Sequence, residues 1–196
     1  MGTTELHVGL YFGTFNPIHN GHILLSNYLI DNGYMNELWL VVSPQSPFKR
    51  EMVLLPETDR LALAQTAVKE YRNIKICDAE MTLPKPSYTI DTLRYLSQKH
   101  PDYRFTLVMG ADNVEGFSRW KCSDEIERNY RLLIYPRKGY ESIVLSPSMR
   151  LLADVPLYPF SSTEIRRKIA RGEDISAEVP PAIRDKCIEL YRNNNK

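Results

Sequence analysis

Short, continuous apolar runs alternate with helix-period patterns along most of this 196-residue chain, and that alternation constrains the fold more than any other feature. The runs read as strands over 7–13, 37–43, 73–78, 104–110 and 131–136, with a weaker one over 154–158. Helical patterns lie between them over 20–32, 58–71 and 89–99. In the second of these, Leu61, Ala64, Val68 and Tyr71 fall on one stripe. Runs such as LWLVV and FTLVM lack the polar alternation of a sheet with one wet face, so they predict strands buried on both sides. A β-α-β-α order built from such strands predicts an α/β fold, an open parallel sheet of five to six strands with helices on both faces. The stretch 161–191 predicts two further helices. The first opens on a capping box of Ser161 and Glu164 and stops at Gly172; the second starts near Pro181 and carries Ile183, Cys187, Ile188 and Tyr191 on one side. The chain reads as a single domain over 1–196, with a core over 1–160 and a helical segment over 161–196.

The first strand runs into GTFNPIHNGH, residues 13–22. Val8, Leu10, Tyr11 and Phe12 lead into Gly13, a polar turn passes through Asn16 and Pro17, and His19 and His22 stand at the mouth of a helix bearing Ile23, Leu24, Leu25, Tyr28 and Leu29. The first N–H groups of a helix lack intrahelical partners and sit at the positive end of its dipole, so phosphate is favoured there. Two imidazoles add donors that a triphosphate can use. In open α/β sheets ligands bind outside the carboxyl ends of strands. Lys49 in SPFKRE follows the second strand, and Gly110-Ala111-Asp112 follows the fourth. Each of these residues also has a plainer reading: histidines capping a helix, a solvated lysine, an N-cap at Asp112 or Thr89, a core Trp120, an exposed Arg166. Arg60, at a helix start, suits phosphate or the surface equally.

Composition narrows the class. A net charge of +1 gives no reason to expect a broad surface for nucleic acid or membrane. Cys77, Cys122 and Cys187 are odd in number and without a CxxC, which predicts free thiols in a reducing compartment and no zinc site. The amino terminus lacks a basic n-region, and no apolar stretch is long enough to span a bilayer, so a cytoplasmic location is expected. GxxxxGK[ST] and GxGxxG are both absent, which removes the P-loop and dinucleotide-fingerprint readings.

GTFNPIHNGH, together with SSTEIR at 161–166, resembles the signature of the HxGH nucleotidyltransferase superfamily. SPFK, SYTIDTL at 87–93, GADN at 110–113 and Trp120 are similar to segments of its nicotinate (or nicotinamide) mononucleotide adenylyltransferase branch, bacterial type. The resemblance implies a Rossmann-like sheet and transfer of the adenylyl group of ATP to nicotinate mononucleotide, giving nicotinate adenine dinucleotide and pyrophosphate in NAD biosynthesis. It implies ATP contacts from Gly13, Thr14, Phe15, His19, Gly21, His22, Gly110, Asp112, Ser161, Ser162, Thr163 and Arg166. It implies pyridine-nucleotide contacts from Asn16, Lys49, Tyr88, Thr89 and Trp120, and it gives catalytic roles to His19, His22, Lys49 and Arg166. Mg²⁺ would be held mainly by the ATP phosphates rather than by a protein cage. The implied partners are ATP and nicotinate mononucleotide, with no nucleic acid or membrane; homo-oligomer formation stays open. Two residues depart from the pattern: Phe12 stands where many relatives have glycine, and Asn16 where many have aspartate. The alternatives are phosphopantetheine adenylyltransferase, which shares the two strong motifs, and a nucleotide-binding regulator without turnover.

Overall fold

The computed structural model describes residues 5–44 and 54–193. The chain order is β1 (Leu6–Gly13), α1 (Asn20–Asp31), β2 (Glu37–Val42), α2 (Glu57–Val68), β3 (Ile74–Cys77), α3 (Ala79–Thr82), α4 (Thr89–Lys99), β4 (Tyr103–Gly110), 3-10 turns at Ala111–Asn113 and Phe117–Arg119, α5 (Ser123–Asn129), β5 (Arg131–Tyr135), β6 (Met149–Leu151), α6 (Ser162–Arg171) and α7 (Pro181–Asn193). The six strands form one parallel sheet in the order β3-β2-β1-β4-β5-β6. Chain order reverses between β1 and β4, and the crevice at that switch point is where such sheets take ligands.

Side chains of a strand alternate between faces, and the two resulting cores are distinct. One face carries Tyr11, Leu38, Leu40, Val42, Val108, Leu133 and Tyr135 against α1, α2, α6 and α7. The other carries Val8, Leu10, Val41, Phe105, Leu107, Met109, Leu132 and Ile134 against α4 and α5. Apolar residues on both faces are what the unbroken runs in the sequence require. Phe12 packs with the second core, on the face opposite Tyr11. It belongs to the strand and does not crowd the turn after it.

Three sequence expectations are corrected. The weak strand over 154–158 is absent, and the sixth strand is instead β6, paired to β5. Pro156 removes a ladder donor from that stretch, and Pro159 follows directly after it. Helix α2 ends at Val68, the chain turns as Tyr71 N–H bonds the Val68 carbonyl (2.9 Å), and Tyr71 is left exposed rather than on the buried stripe. The capping box at α6 does not form: Ser161 is the N-cap without a side-chain bond, Ser162 Oγ reaches the Pro17 carbonyl (2.9 Å), and Glu164 pairs with Arg167 (3.5 Å). Docking of this helix end on the β1–α1 turn replaces local capping. Gly172 ends α6 at φ +73°. Ile183, Cys187 and Tyr191 of α7 are buried, and Ile188 packs beside them.

Candidate active site

The β1–α1 turn is held in place by groups that the motif does not contain. Arg60 on α2 is 1% exposed, neither a surface residue nor open to a ligand. Its guanidinium donates to the carbonyls of Leu55 (2.9 Å), Ser43 (2.8 Å), Pro44 (2.6 Å) and Thr14. Four carbonyl dipoles thereby satisfy one buried cation and join the ends of β1 and β2. Asn16 is equally enclosed, at 1% exposure. Its Oδ1 accepts from Tyr191 Oη of α7 (2.6 Å) and from the Leu55 N–H (3.3 Å), and its carbonyl accepts from Arg166 Nη1 (2.6 Å). The Asn16–Pro17 peptide is cis. An amide serves at this position because the site asks for an acceptor that stays neutral when buried.

Above this base sit the histidines. His19 is the N-cap of α1 and is 6% exposed; His22 is one turn on and half-buried. Their rings stack at 3.7 Å between centroids and 25° between planes. The backbone N–H of His19 donates to His22 Nδ1 (3.1 Å), so His22 carries its proton on Nε2, the outward nitrogen. Phe15, at φ +46° and 2% exposure, sets its ring edge-on to His22 (4.9 Å), and Tyr11 flanks the same ring at 5.8 Å. Burial pushes the His19 pKa down to about 3, and the Arg137 guanidinium adds to that effect. Burial, then the charges of His19 and Arg137, hold His22 well below the ordinary histidine range. Both rings are therefore neutral donors near pH 7. His19 Nδ1 is buried and without a hydrogen-bond partner. Gly21 makes this stacking possible, since a Cβ there would meet the His19 ring and Phe160 Cβ at 3.1 Å.

The C-terminal ends of β4 and β5 complete the crevice. Gly110 lies opposite Tyr135 in the ladder, and a Cβ on it would meet Tyr135 Oη at 3.0 Å and Asp112 Oδ1 at 2.3 Å. The bare backbone lets the Tyr135 hydroxyl cross β4 to the Tyr11 hydroxyl (2.9 Å). Burial raises the pKa of both phenols. Asp112 is exposed within the first 3-10 turn, whose N-cap is Gly110, so Asp112 caps no helix. Arg137, two residues past β5, lies 5.3 Å from the Tyr135 ring centroid and brings Nε to 3.5 Å from Asp112.

The structure thus joins His19, His22, Gly13, Thr14, Phe15 and Gly21 to Ser162 and Arg166 through the turn, and Asp112 through Arg137 and the tyrosines. The Phe15 ring is packed away, leaving its backbone toward the turn. Arg166 also donates to Thr163 Oγ1 (3.3 Å), while Ser161 and Thr163 are exposed. A second group forms around α4: Tyr88 is its N-cap, Thr89 its first residue, and Trp120 closes the second 3-10 turn. All three are half-buried, and Lys121, next to Trp120 in the chain, brings its Nζ to 4.7 Å from the Tyr88 ring centroid and 2.8 Å from Asp91. Lys49 lies outside the described residues. The sequence weighs Arg60 between phosphate and surface without placing it in the site, and it gives Arg137, Tyr11, Tyr135 and Tyr191 no site role. Arg137 carried one usable signal, a basic residue just past the end of a strand; the others carried none, because their partners are distant in sequence.

An open parallel sheet with paired histidines at the first helix mouth and a second helix end docked beside them defines a nucleotide-handling α/β protein of the nucleotidyltransferase type. The chain belongs to the cytidylyltransferase-like family, whose profile matches residues 10–168, and within it to the nicotinate-nucleotide adenylyltransferases. It is 42% identical to the probable nicotinate-nucleotide adenylyltransferase of Porphyromonas gingivalis, over 88% of each chain. It is 40% identical to the protein of the same name from Bacteroides fragilis, over 92% of this chain and 90% of the relative. Among solved structures it resembles Plasmodium falciparum nicotinic acid mononucleotide adenylyltransferase complexed with NaAD, at a TM-score of 0.78 and 19% identity, covering 97% of this chain and all of the other. No helix among the described residues is long and apolar enough to cross a membrane.

Proposed function

We propose that this enzyme transfers the adenylyl group of ATP to nicotinate mononucleotide, forming nicotinate adenine dinucleotide and pyrophosphate as a step of NAD biosynthesis. The observation that carries this reading is the stacked, neutral histidine pair at the mouth of α1, at the sheet's switch point, with a buried and unpartnered nitrogen on His19. The phosphate of the mononucleotide is already an anionic nucleophile near neutral pH. Its oxygen bonds to the α-phosphorus while the bond to the β-phosphate oxygen breaks, and pyrophosphate leaves with that electron pair. No general base or covalent residue is needed; the protein positions the groups and meets the developing charge.

In this reading His22 Nε2–H and the α1 amides donate to phosphate oxygens. An arriving anion favours protonation of both imidazoles, so the pair gains charge only when substrate is present. Arg166 and Lys49 hold phosphates, Gly13, Thr14 and Gly21 let the backbone approach them, and the N-terminal turn of α6 (Ser161, Ser162, Thr163) offers further donors. Gly110 and Asp112 face the ribose. Trp120 stacks on the pyridine ring, with Tyr88 and Thr89 beside it. The enclosure of Asn16 supports a role in shaping the turn and lining the pyridine side by its backbone. Among the described residues no group of three or more His, Cys, Asp or Glu could hold a metal ion. Mg²⁺ would arrive on the triphosphate, where it would neutralise the β- and γ-phosphates. The chain is proposed to act as a single domain in the cytoplasm, with α6 and α7 bracing the turn.

The test is an assay of purified protein with Mg-ATP and, separately, nicotinate mononucleotide, nicotinamide mononucleotide and phosphopantetheine, following pyrophosphate and resolving the products. Dinucleotide formed mainly from the acid is the expected result. Turnover only with phosphopantetheine would overturn the branch, and ATP binding without turnover would overturn the activity.

A further inference from the structure

Glu80 is sealed inside the protein at 3% exposure, and the proposed reaction gives it no part. It stands on α3, the short helix after β3, and its partners come from two other elements. Thr92 of α4, fully buried, donates its hydroxyl to Glu80 Oε1 (3.0 Å). The second donor is the hydroxyl of Ser43, the residue after β2. Among the described residues no cation pairs with this carboxylate. Burying a carboxylate without a counter-ion costs stability, and apolar side chains would join the same elements at less cost. Stability therefore does not account for Glu80.

Its two partners belong to the two halves of the candidate site. Ser43 donates its N–H to the Gly13 carbonyl (2.9 Å), and its own carbonyl accepts from Arg60 (2.8 Å), which ties it to the turn below the histidines. Thr92 lies in the first turn of α4, where its N–H bonds the carbonyl of the N-cap Tyr88 (3.3 Å), which ties it to Tyr88 and Thr89. We propose that Glu80 is a positioning residue that fixes the span between the phosphate side of the crevice and its pyridine side, and with it the approach of the attacking phosphate to the α-phosphorus. A carboxylate accepts both hydroxyls at once and in fixed directions, which apolar packing cannot impose. Transfer tolerates little error in that span: a misplacement of about 1 Å costs roughly a hundredfold in rate. The inference rests on the adenylyl-transfer reading, which puts the two substrates at these two ends.

Nicotinate adenine dinucleotide, the product, must reach both halves at once, whereas ATP and nicotinate mononucleotide each report on one. The experiment is titration calorimetry of these three ligands, each alone, on wild type, Glu80→Ala, Glu80→Asp and Glu80→Gln, with steady-state kinetics at a temperature where every variant is folded. Alanine removes the acceptor, and aspartate keeps the carboxylate but draws it back by one methylene. Both variants should bind the dinucleotide roughly 10- to 100-fold more weakly, with kcat lowered by a similar factor, while affinity for ATP and for nicotinate mononucleotide changes less than about threefold. Glutamine keeps the reach and one acceptor oxygen, so it should recover most of the loss. A residue that only supported packing would weaken the separate substrates as much as the dinucleotide. That result would overturn the proposal, as would wild-type dinucleotide affinity in both the alanine and aspartate variants. Should neither fold, Thr92→Val, which removes one hydroxyl at nearly constant shape, carries the same comparison with the same expected pattern. A wild-type enzyme that forms no dinucleotide from its two substrates would instead overturn the adenylyl-transfer reading on which the proposal stands.

Discussion

In the proposed reaction His22 is an aimed donor. The His19 N–H occupies Nδ1 and so fixes the tautomer, while Phe15 and Tyr11 hold the ring from two sides. A donor that needs no reorganisation at the moment of reaction is worth far more than the same group in water. His22→Ala is therefore expected to lower kcat by roughly a hundredfold while the protein still melts cooperatively, by analogy with loss of one oxyanion donor. Turnover within a few-fold of wild type would remove it from the mechanism. Trp120 offers a separate test, because it is half-buried with Phe117 at 5.3 Å between ring centroids. Trp120→Ala should raise KM for the pyridine nucleotide with little change for ATP; loss of folding instead would assign the ring to the core. Both residues stand out in the sequence because they fall in short motifs. The partners that tune them were not, since Tyr135 and Arg137 reach the histidines only through sheet pairing across β4.

At the scale of elements, the turn after β1 is where most of the fold's long-range ties meet. Arg60 from α2, Arg166 and Ser162 from α6 and Tyr191 from α7 all bond its backbone or Asn16. The sequence announced the turn and the helices but not that they meet. Hydrophobic period marks which face of a helix is buried, and a buried arginine on that face reads as an interruption of the pattern rather than as its purpose. Arg60→Ala would leave four carbonyls in a dry interior without their donor. The expected cost is at least about 3 kcal/mol in urea denaturation, and Arg60→Lys should recover little of it, because an ammonium cannot match the spread of the four acceptors. A loss under about 1 kcal/mol would mean that water replaces the guanidinium readily. Tertiary context likewise overrides local signals in the failed strand over 154–158, where Pro156 lacks a ladder donor, and at α6, whose first turn is tied to the β1–α1 turn by Ser162 Oγ donating to the Pro17 carbonyl rather than by a capping box.

For the whole molecule, the neutral histidine pair couples nucleotide chemistry to acid stability. A histidine whose pKa is lowered on folding binds its proton more tightly in the unfolded chain. The stability it contributes is complete above the unfolded value, about 6.5, and is lost as pH falls toward the folded value. For His19 that window runs from 6.5 down to about 3, and His22 is shifted in the same direction. His7, lowered by burial, adds to the trend; Glu80, raised by burial, opposes it in the lower part of the window, because its folded form keeps a proton that the unfolded chain releases. Each histidine then contributes a slope of about 1.4 kcal/mol per pH unit below pH 6. Urea denaturation at pH 7.0, 6.0 and 5.0 should show the ligand-free protein losing roughly 1 to 3 kcal/mol per unit across the acid step. The His19→Asn, His22→Asn double variant should flatten most of that loss. Saturating Mg-ATP should flatten it as well, since phosphate against the imidazoles stabilises their protonated forms and raises the folded pKa values toward the unfolded ones. An unchanged slope in the double variant would place the acid sensitivity elsewhere in the chain and would mean that the pair is solvated enough to titrate freely.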